Sequence, residues 1–371
     1  MAENKYKNCK TCIHYHYGGA NIGSYCKQKL NKLTLRQRAK LTRDSLPKCL
    51  PYSVCNKYEP TLSFTKLLNG QTRKRLIGSF VGLTIGDAFG TTLEFAERDE
   101  FPEITQIVGG GPFNLKPGQW TDDTSMALCL AESLYEYDEF NPIDQLERYS
   151  KWYRFGYNSP TGTCFDIGNT TRNAIERFEE TNESYCGSED SQTAGNGSIM
   201  RLAPIAIKYW QNTNDLIKYA ALSSKTTHAA KEAVQASVVL ALFLQGIFQA
   251  KHKDELFSTE FAEFIISKID DISPKLKAIL LGSYKTKGRN EISSSGYVIH
   301  TLEAALWSFY NGKTFSETII FAVNLAEDAD TVGAVTGQIA GAYYSYGKTV
   351  KKWSKNIYKI EDIVKLINKL I

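Results

Sequence analysis

Two short acidic runs, Thr121-Asp122-Asp123-Thr124 and Asp328-Ala329-Asp330-Thr331, lie far apart in the chain, and each opens a stretch that reads as an apolar helix rich in small residues. One aspartate at a helix start is ordinary, because its carboxylate caps free N–H groups and meets the positive end of the helix dipole. Two crowded carboxylates repel at neutral pH. A cluster that recurs with hydroxyls on its flanks therefore suggests a fold that gathers both runs around something positive. Carboxylate and threonine oxygens suit a hard divalent cation, Mg²⁺ or Mn²⁺ in kind, and neither run offers the His/Cys set that zinc or copper prefers. Taken singly, each run is equally compatible with an N-cap carrying spare surface acid.

From about Arg73 onward the pattern is helical almost everywhere. Apolar residues recur at three- and four-residue spacing over 73–86, 124–137, 142–154, 168–180, 198–211, 214–224, 229–250, 296–310, 315–325 and 331–346. Gly78, Gly82, Gly86 and Gly90 step along the first segment, and Gly333, Gly337, Gly341 and Gly347 along the last. Such spacing lets helix backbones approach closely, and it is compatible with these helices forming the floor of a site. The run Val238 to Phe248 is too short to span a bilayer and reads as a buried helix. The chain is 42% hydrophobic and 23% charged, the composition of a soluble globular protein. With no apolar segment after Met1, the expectation is a cytoplasmic protein without a membrane partner.

The first sixty residues read as a separate unit, 1–60, ahead of a larger domain, 61–371. They hold 12 Lys/Arg against 3 Asp/Glu, whereas the remainder holds 32 against 37, a split hidden by the net charge of +4. They also hold Cys9, Cys12, Cys26, Cys49 and Cys55, of 8 cysteines in all. A module this short buries too little surface to be stable alone, so a structural Zn²⁺ held by Cys9, Cys12, Cys26 and Cys55 is expected. Cys49, His14 and His16 are rival ligands, an iron–sulfur cluster is an alternative, and the plainest reading is a solvated basic tail. A basic head of this kind would also suit nucleic acid or an acidic partner.

Six stretches in order, Gly86-Asp-Ala-Phe-Gly-Thr-Thr-Leu-Glu94, Thr121-Asp-Asp-Thr124, Cys164-Phe-Asp-Ile-Gly168, Gly195-Asn-Gly-Ser-Ile-Met-Arg201, Thr226-Thr-His228 and Asp328-Ala-Asp-Thr-Val-Gly333, resemble the motifs of the ADP-ribosylglycohydrolase family. The resemblance covers roughly residues 70–350. It implies an all-α orthogonal helical bundle with two Mg²⁺ or Mn²⁺ ions in a central cleft. By motif position Thr121, Asp122, Asp123, Asp328, Asp330 and Thr331 would be the metal ligands, joined or gated by Glu94, with no departure at these positions.

The same resemblance implies a hydrolase that frees ADP-ribose from an ADP-ribosylated protein by cleaving the bond at ribose C1″. It places Asp166 near that bond, with Glu94 and Asp123 as further catalytic residues, and leans the linkage toward arginine. A loop of Gly195, Asn196, Gly197 and Ser198 ahead of an apolar helix offers backbone N–H groups to a pyrophosphate. Arg201 adds charge there or forms a structural ion pair. His228 contacts the phosphate or ribose, or is a satisfied core histidine. The rival functions are an inactive ADP-ribose binder, a hydrolase for serine-linked or nucleic-acid-linked ADP-ribose, and a two-metal phosphoesterase.

Overall fold

A computed structural model describes residues 70–371 and, ahead of them, the backbone of two strands. The chain divides into two units, Met1–Leu67 and Leu68–Ile371. In the first, β1 (Cys12–Tyr17) pairs antiparallel with β2 (Ala20–Cys26), setting Cys12 opposite Cys26. Of the expected zinc ligands, Cys9 and Cys55 lie outside the described residues, as do the side chains of Cys12 and Cys26.

The second unit is helical. Its elements are α1 (Gly70–Gly90), α2 (Asp122–Tyr137), α3 (Pro142–Phe155), α4 (Asn169–Thr181), α5 (Ala203–Tyr209), α6 (Thr213–Lys225), α7 (Lys231–Phe248), α8 (Lys253–Leu256), α9 (Thr259–Ile266), α10 (Pro274–Leu280), α11 (Val298–Asn311), α12 (Phe315–Val323), α13 (Ala329–Tyr344), α14 (Lys348–Ser354) and α15 (Ile360–Leu370). Local chemistry sets many of the ends. Asn141 caps α3 by accepting from the Asp144 N–H ahead of Pro142, and Gly156 closes that helix in the left-handed region.

The centre of the unit is an antiparallel pair, α1 against α13. Gly78 faces Gly341, Gly82 faces Gly337 and Gly86 faces Gly333, and a Cβ on any of the six would overlap the carbonyl oxygen opposite. The series ends with Gly90 against Ala329. Gly347, expected to belong to this stripe, instead precedes α14 as its N-cap, where a Cβ would have room. α1 is buried from Leu76 to its end, and α7 and α13 along almost their whole length, which explains why these stretches lack a polar face. α13 packs further on α11, α12 and α7, while α15 closes over α1 and α2.

Two differences from the sequence expectation have local causes. The helix expected over 198–211 starts only at Ala203, because the preceding glycine-containing loop continues in turns and Pro204 belongs in a first turn, where its missing N–H costs nothing. The helices α8 to α10, α14 and α15 were not foreseen. Most are shorter than the window in which periodicity can be read, although α15 carries a clear apolar stripe through Ile363, Ile367 and Leu370.

The glycine contact gives a direct test. Gly337→Ala, whose methyl would overlap the Gly82 carbonyl oxygen, is expected to lower stability by about 1–3 kcal/mol, as overpacking does. An unchanged denaturant midpoint would contradict this account of the helix pair.

Candidate active site

Asp87 sits on the buried face of α1, one residue beyond the Gly86–Gly333 contact, and its carboxylate reaches the start of α2. It accepts from the N–H and hydroxyl of Thr121 (2.9 Å each) and from the N–H and hydroxyl of Thr124 (2.9 and 2.6 Å). Thr121 occupies the N-cap position without a side-chain cap of its own, so a carboxylate from another helix does the capping. Asp122 and Asp123 are thereby released from that role. Asp328 likewise stands at the N-cap of α13 without capping it; Asn196 Nδ2 donates to its Oδ2 at 2.6 Å and to Thr301 Oγ1 at 2.8 Å.

The two acidic runs therefore converge. Asp87, Asp123 and Asp330 can each bring a carboxylate oxygen within 4.8 Å of the others, and so can Glu94, Asp328 and Asp330. Asp330 belongs to both sets. Burial, reinforced by mutual repulsion, pushes the carboxyls of Glu94, Asp122, Asp123 and Asp330 well above their ordinary range. Burial also raises Asp87 to about 6, with the threonine hydrogen bonds pulling the other way.

Whether a divalent ion would fit is answered by the donors. Asp123 Oδ2 is within 3.1 Å of the Thr121 hydroxyl, but its Oδ1 is buried with no hydrogen-bond partner. A buried carboxylate oxygen left bare is costly unless a cation meets it, and every donor around it is an oxygen. The residues present thus fit a hard divalent cation. Asp122 and Thr331 line the cavity beside these groups, whereas Thr121 lies beneath them, tied to Asp87 and Asp123.

Glu94, Asp122, Asp328 and Asp330 line a cavity of about 800 Å³, within the range of small-ligand sites, while Asp87 and Asp123 are buried off its lining. Asp166 stands on its wall and is not the cap of α4, a position held by Gly168. Burial first, then the charges of Asp328 and Asp87, raises its pKa to about 7. Gly195, Asn196, Gly197 and His228 also line the cavity. Ser198 does not; it is buried within hydrogen-bond reach of Ser237. The loop is also less open to an anion than expected, because the N–H of Gly195 donates to Thr193 and that of Asn196 to Gly296. The amides of Gly197 and Ser198 find no acceptor among the described residues.

Arg201 corrects the expectation of a phosphate-binding cation. It is fully buried, donating to Gly197 O (2.7 Å) and Thr227 Oγ1 (2.6 Å), with its guanidinium 4.8 Å from the centre of the Tyr149 ring. Its effect on the site is indirect. A guanidinium only donates, so the Thr227 hydroxyl accepts from Arg201 and has its own proton to give to His228 Nδ1, 2.8 Å away. Burial, then the charge of Arg201, depresses His228 to about 3. The imidazole is therefore neutral, with its hydrogen on Nε2, beside Gly195 and Gly197.

Sequence reasoning missed Asp87, although it stands within a quoted motif. The signal available was a carboxylate set inside an otherwise apolar, glycine-stepped helix, where burial is expensive without a purpose. It also missed that Asn196 holds Asp328, a contact between residues in separate motifs that no local pattern encodes.

The sequence model described as ADP-ribosylglycohydrolase matches residues 69–371. The chain is 43% identical over 293 residues to the ADP-ribosylarginine hydrolase Tri1 of Serratia proteamaculans, covering 79% of this chain and 78% of that protein. It is 30% identical to the ADP-ribosyl-[dinitrogen reductase] glycohydrolase of Rhodospirillum rubrum, covering 77% and 92%. Among solved structures, a chain of an "ADP-ribosylglycohydrolase-related protein complex" superposes with a TM-score of 0.72 at 40% identity, covering 81% of this chain and 98% of that one.

The raised carboxyls carry a sign. A carboxyl whose pKa rises on folding contributes stability while protonated and loses it as pH climbs through its folded value, here about 6 for Asp87 and about 7 for Asp166. Without divalent ions, the thermal midpoint is expected to fall from about pH 5 to about pH 8, and Mg²⁺ or Mn²⁺ to restore it most at the higher pH. A midpoint flat across this window and indifferent to both metals would contradict the clustered-carboxylate account.

Proposed function

Because this chain belongs to the ADP-ribosylglycohydrolase family, we propose that it removes ADP-ribose from arginine side chains of a modified protein, with two Mg²⁺ or Mn²⁺ ions held by the convergent carboxylates. The observation that carries the metal reading is the pair of carboxylate sets sharing Asp330, with a bare buried oxygen on Asp123. The arginine linkage is supported by the 43% identity to a protein named for that activity.

Asp123 and Asp330 would hold one ion, with Asp87 behind them engaged by Thr121 and Thr124, and Glu94, Asp328 and Asp330 the other, with Asp122 and Thr331 at hand. When bound, such ions supply Lewis acidity toward ribose hydroxyls and toward water, and they offset the crowded negative charge. The remaining work falls to the protein. Cleavage at ribose C1″ builds positive, oxocarbenium-like character on the sugar, which surrounding carboxylates favour. The departing guanidine nitrogen needs a proton. Asp166, raised to about 7 on the cavity wall, can carry one near neutral pH and exchange it with the leaving group or with the attacking water. His228 Nε2–H and the free amide of Gly197, both on the cavity lining, suit the oxygens of a pyrophosphate, so neutral donors replace the cation expected at Arg201.

The decisive experiment measures free ADP-ribose released from an arginine-ADP-ribosylated protein. Release is expected with Mg²⁺ or Mn²⁺, to stop in excess EDTA, and to be nearly abolished by Asp330→Ala. Full release in EDTA would sink the metal reading. Asp166→Asn is expected to lower turnover by roughly 10²–10⁴-fold, the scale of general acid–base catalysis, while ADP-ribose affinity changes little. Equal loss in both would make Asp166 a binding residue. Thr227→Val removes the hydroxyl that fixes the His228 hydrogen and is expected to weaken ADP-ribose binding several-fold, read by calorimetry.

A further inference from the structure

Beside the carboxylates runs a row of rings that the reaction chemistry does not use. Phe95, the residue after Glu94, lines the cavity and is 68% exposed. Its ring meets Phe113 edge-on at 6.1 Å, and Phe113 lies 5.2 Å from Phe165, the residue before Asp166. The row thus bridges the neighbours of Glu94 and Asp166, two carboxylates on the cavity lining. Among the described residues, Phe95 is the exposed large hydrophobic that lines this cavity, with Phe113 and Phe165 half-buried behind it.

The backbone holds Phe95 out at a cost. Its φ is +60°, a conformation unfavourable for a bulky residue. The N–H of Phe95 donates to Glu327 O at 2.7 Å, and that of Glu327 returns to Ala96 O at 3.0 Å, with Ala326 and Glu327 also at φ +60°. Arg98 ties the arrangement down. Its guanidinium donates to Leu325 O, Arg289 O and Ile292 O and to Ser294 Oγ, at 2.7 to 3.1 Å. The same loops carry Glu94 and Asp328, so the exposed ring is fixed relative to the site.

The chemistry of the surroundings selects an occupant. The lining that holds Phe95 also carries the carboxylates of Glu94 and Asp166 and those of Glu97 and Glu327, the last two exposed. Among the described residues, Arg98 is the one arginine or lysine on the cavity lining, and its N–H groups are turned to protein oxygens. An aromatic face among carboxylates favours a flat cation, and guanidinium stacks on such faces. Resting on the arginine reading above, we propose that Phe95, backed by Phe113 and Phe165, is the face on which the target arginine stacks, and that this row sets the preference for guanidine-linked over hydroxyl-linked ADP-ribose.

Phe95→Gly separates recognition from folding, because glycine accepts φ +60° and relieves the strain while removing the ring. The thermal midpoint should hold or rise. For an arginine-ADP-ribosylated peptide KM should rise roughly tenfold, the scale of a desolvated cation–π contact. Affinity for free ADP-ribose and turnover of any serine-linked substrate should stay within about twofold, and Phe95→Trp should recover the arginine KM. An unchanged arginine KM in Phe95→Gly, or a parallel loss of ADP-ribose affinity, would overturn the proposal. A wild-type protein that leaves arginine-linked ADP-ribose intact would overturn the arginine reading itself, and this inference with it.

Discussion

The contact of α1 with α13 is the constraint on which the site depends. Six glycines let the two backbones touch, and that approach alone brings Asp87, on α1, within reach of Asp330, on α13. A methyl at any of these positions would wedge the helices apart and separate the carboxylates. The bare helix faces give up side-chain burial at their interface and recover it on their other sides, where α7, α11 and α12 pack on α13.

A fold that gathers this much buried negative charge works against its own stability. The structure manages part of the cost locally. Asp87 is answered by four donors from the start of α2, and Asp328 by the amide of Asn196. Asp123 Oδ1 is left without a partner, and the carboxyls of Glu94, Asp122 and Asp330 remain pushed upward. The charge that the protein leaves unanswered lies where a divalent cation would be useful, an arrangement expected when function sets the site against folding.

The part of the cavity lined by Gly195, Gly197 and His228 follows a different logic. Arg201, Thr227 and His228 form a buried relay whose end is a neutral N–H, so the cation itself never meets the cavity. A cation in the place of His228 would be drawn to the carboxylates of the same cavity. Burying the guanidinium over Tyr149 and presenting only a donor avoids that competition.

Much was legible in the sequence because it is written locally. The helical period from Arg73 onward, the acidic runs at helix starts and the stepped glycines each reflect short-range rules, and all point to a helical unit with an oxygen-lined site. Tertiary structure decided what those residues do. That Asp87 caps α2, that Asn196 holds Asp328, and that Arg201 turns inward are contacts between segments widely separated in the chain, and no periodicity encodes them. The six-residue step from Gly341 to Gly347 already breaks the four-residue spacing, but no spacing shows that Gly90 meets Ala329, since it marks a helix face and not the partner it meets. Residue types and spacing determined which chemistry was available; the packing of backbone on backbone determined where it converged, because only close approach in space sets the electrostatics of a buried carboxylate.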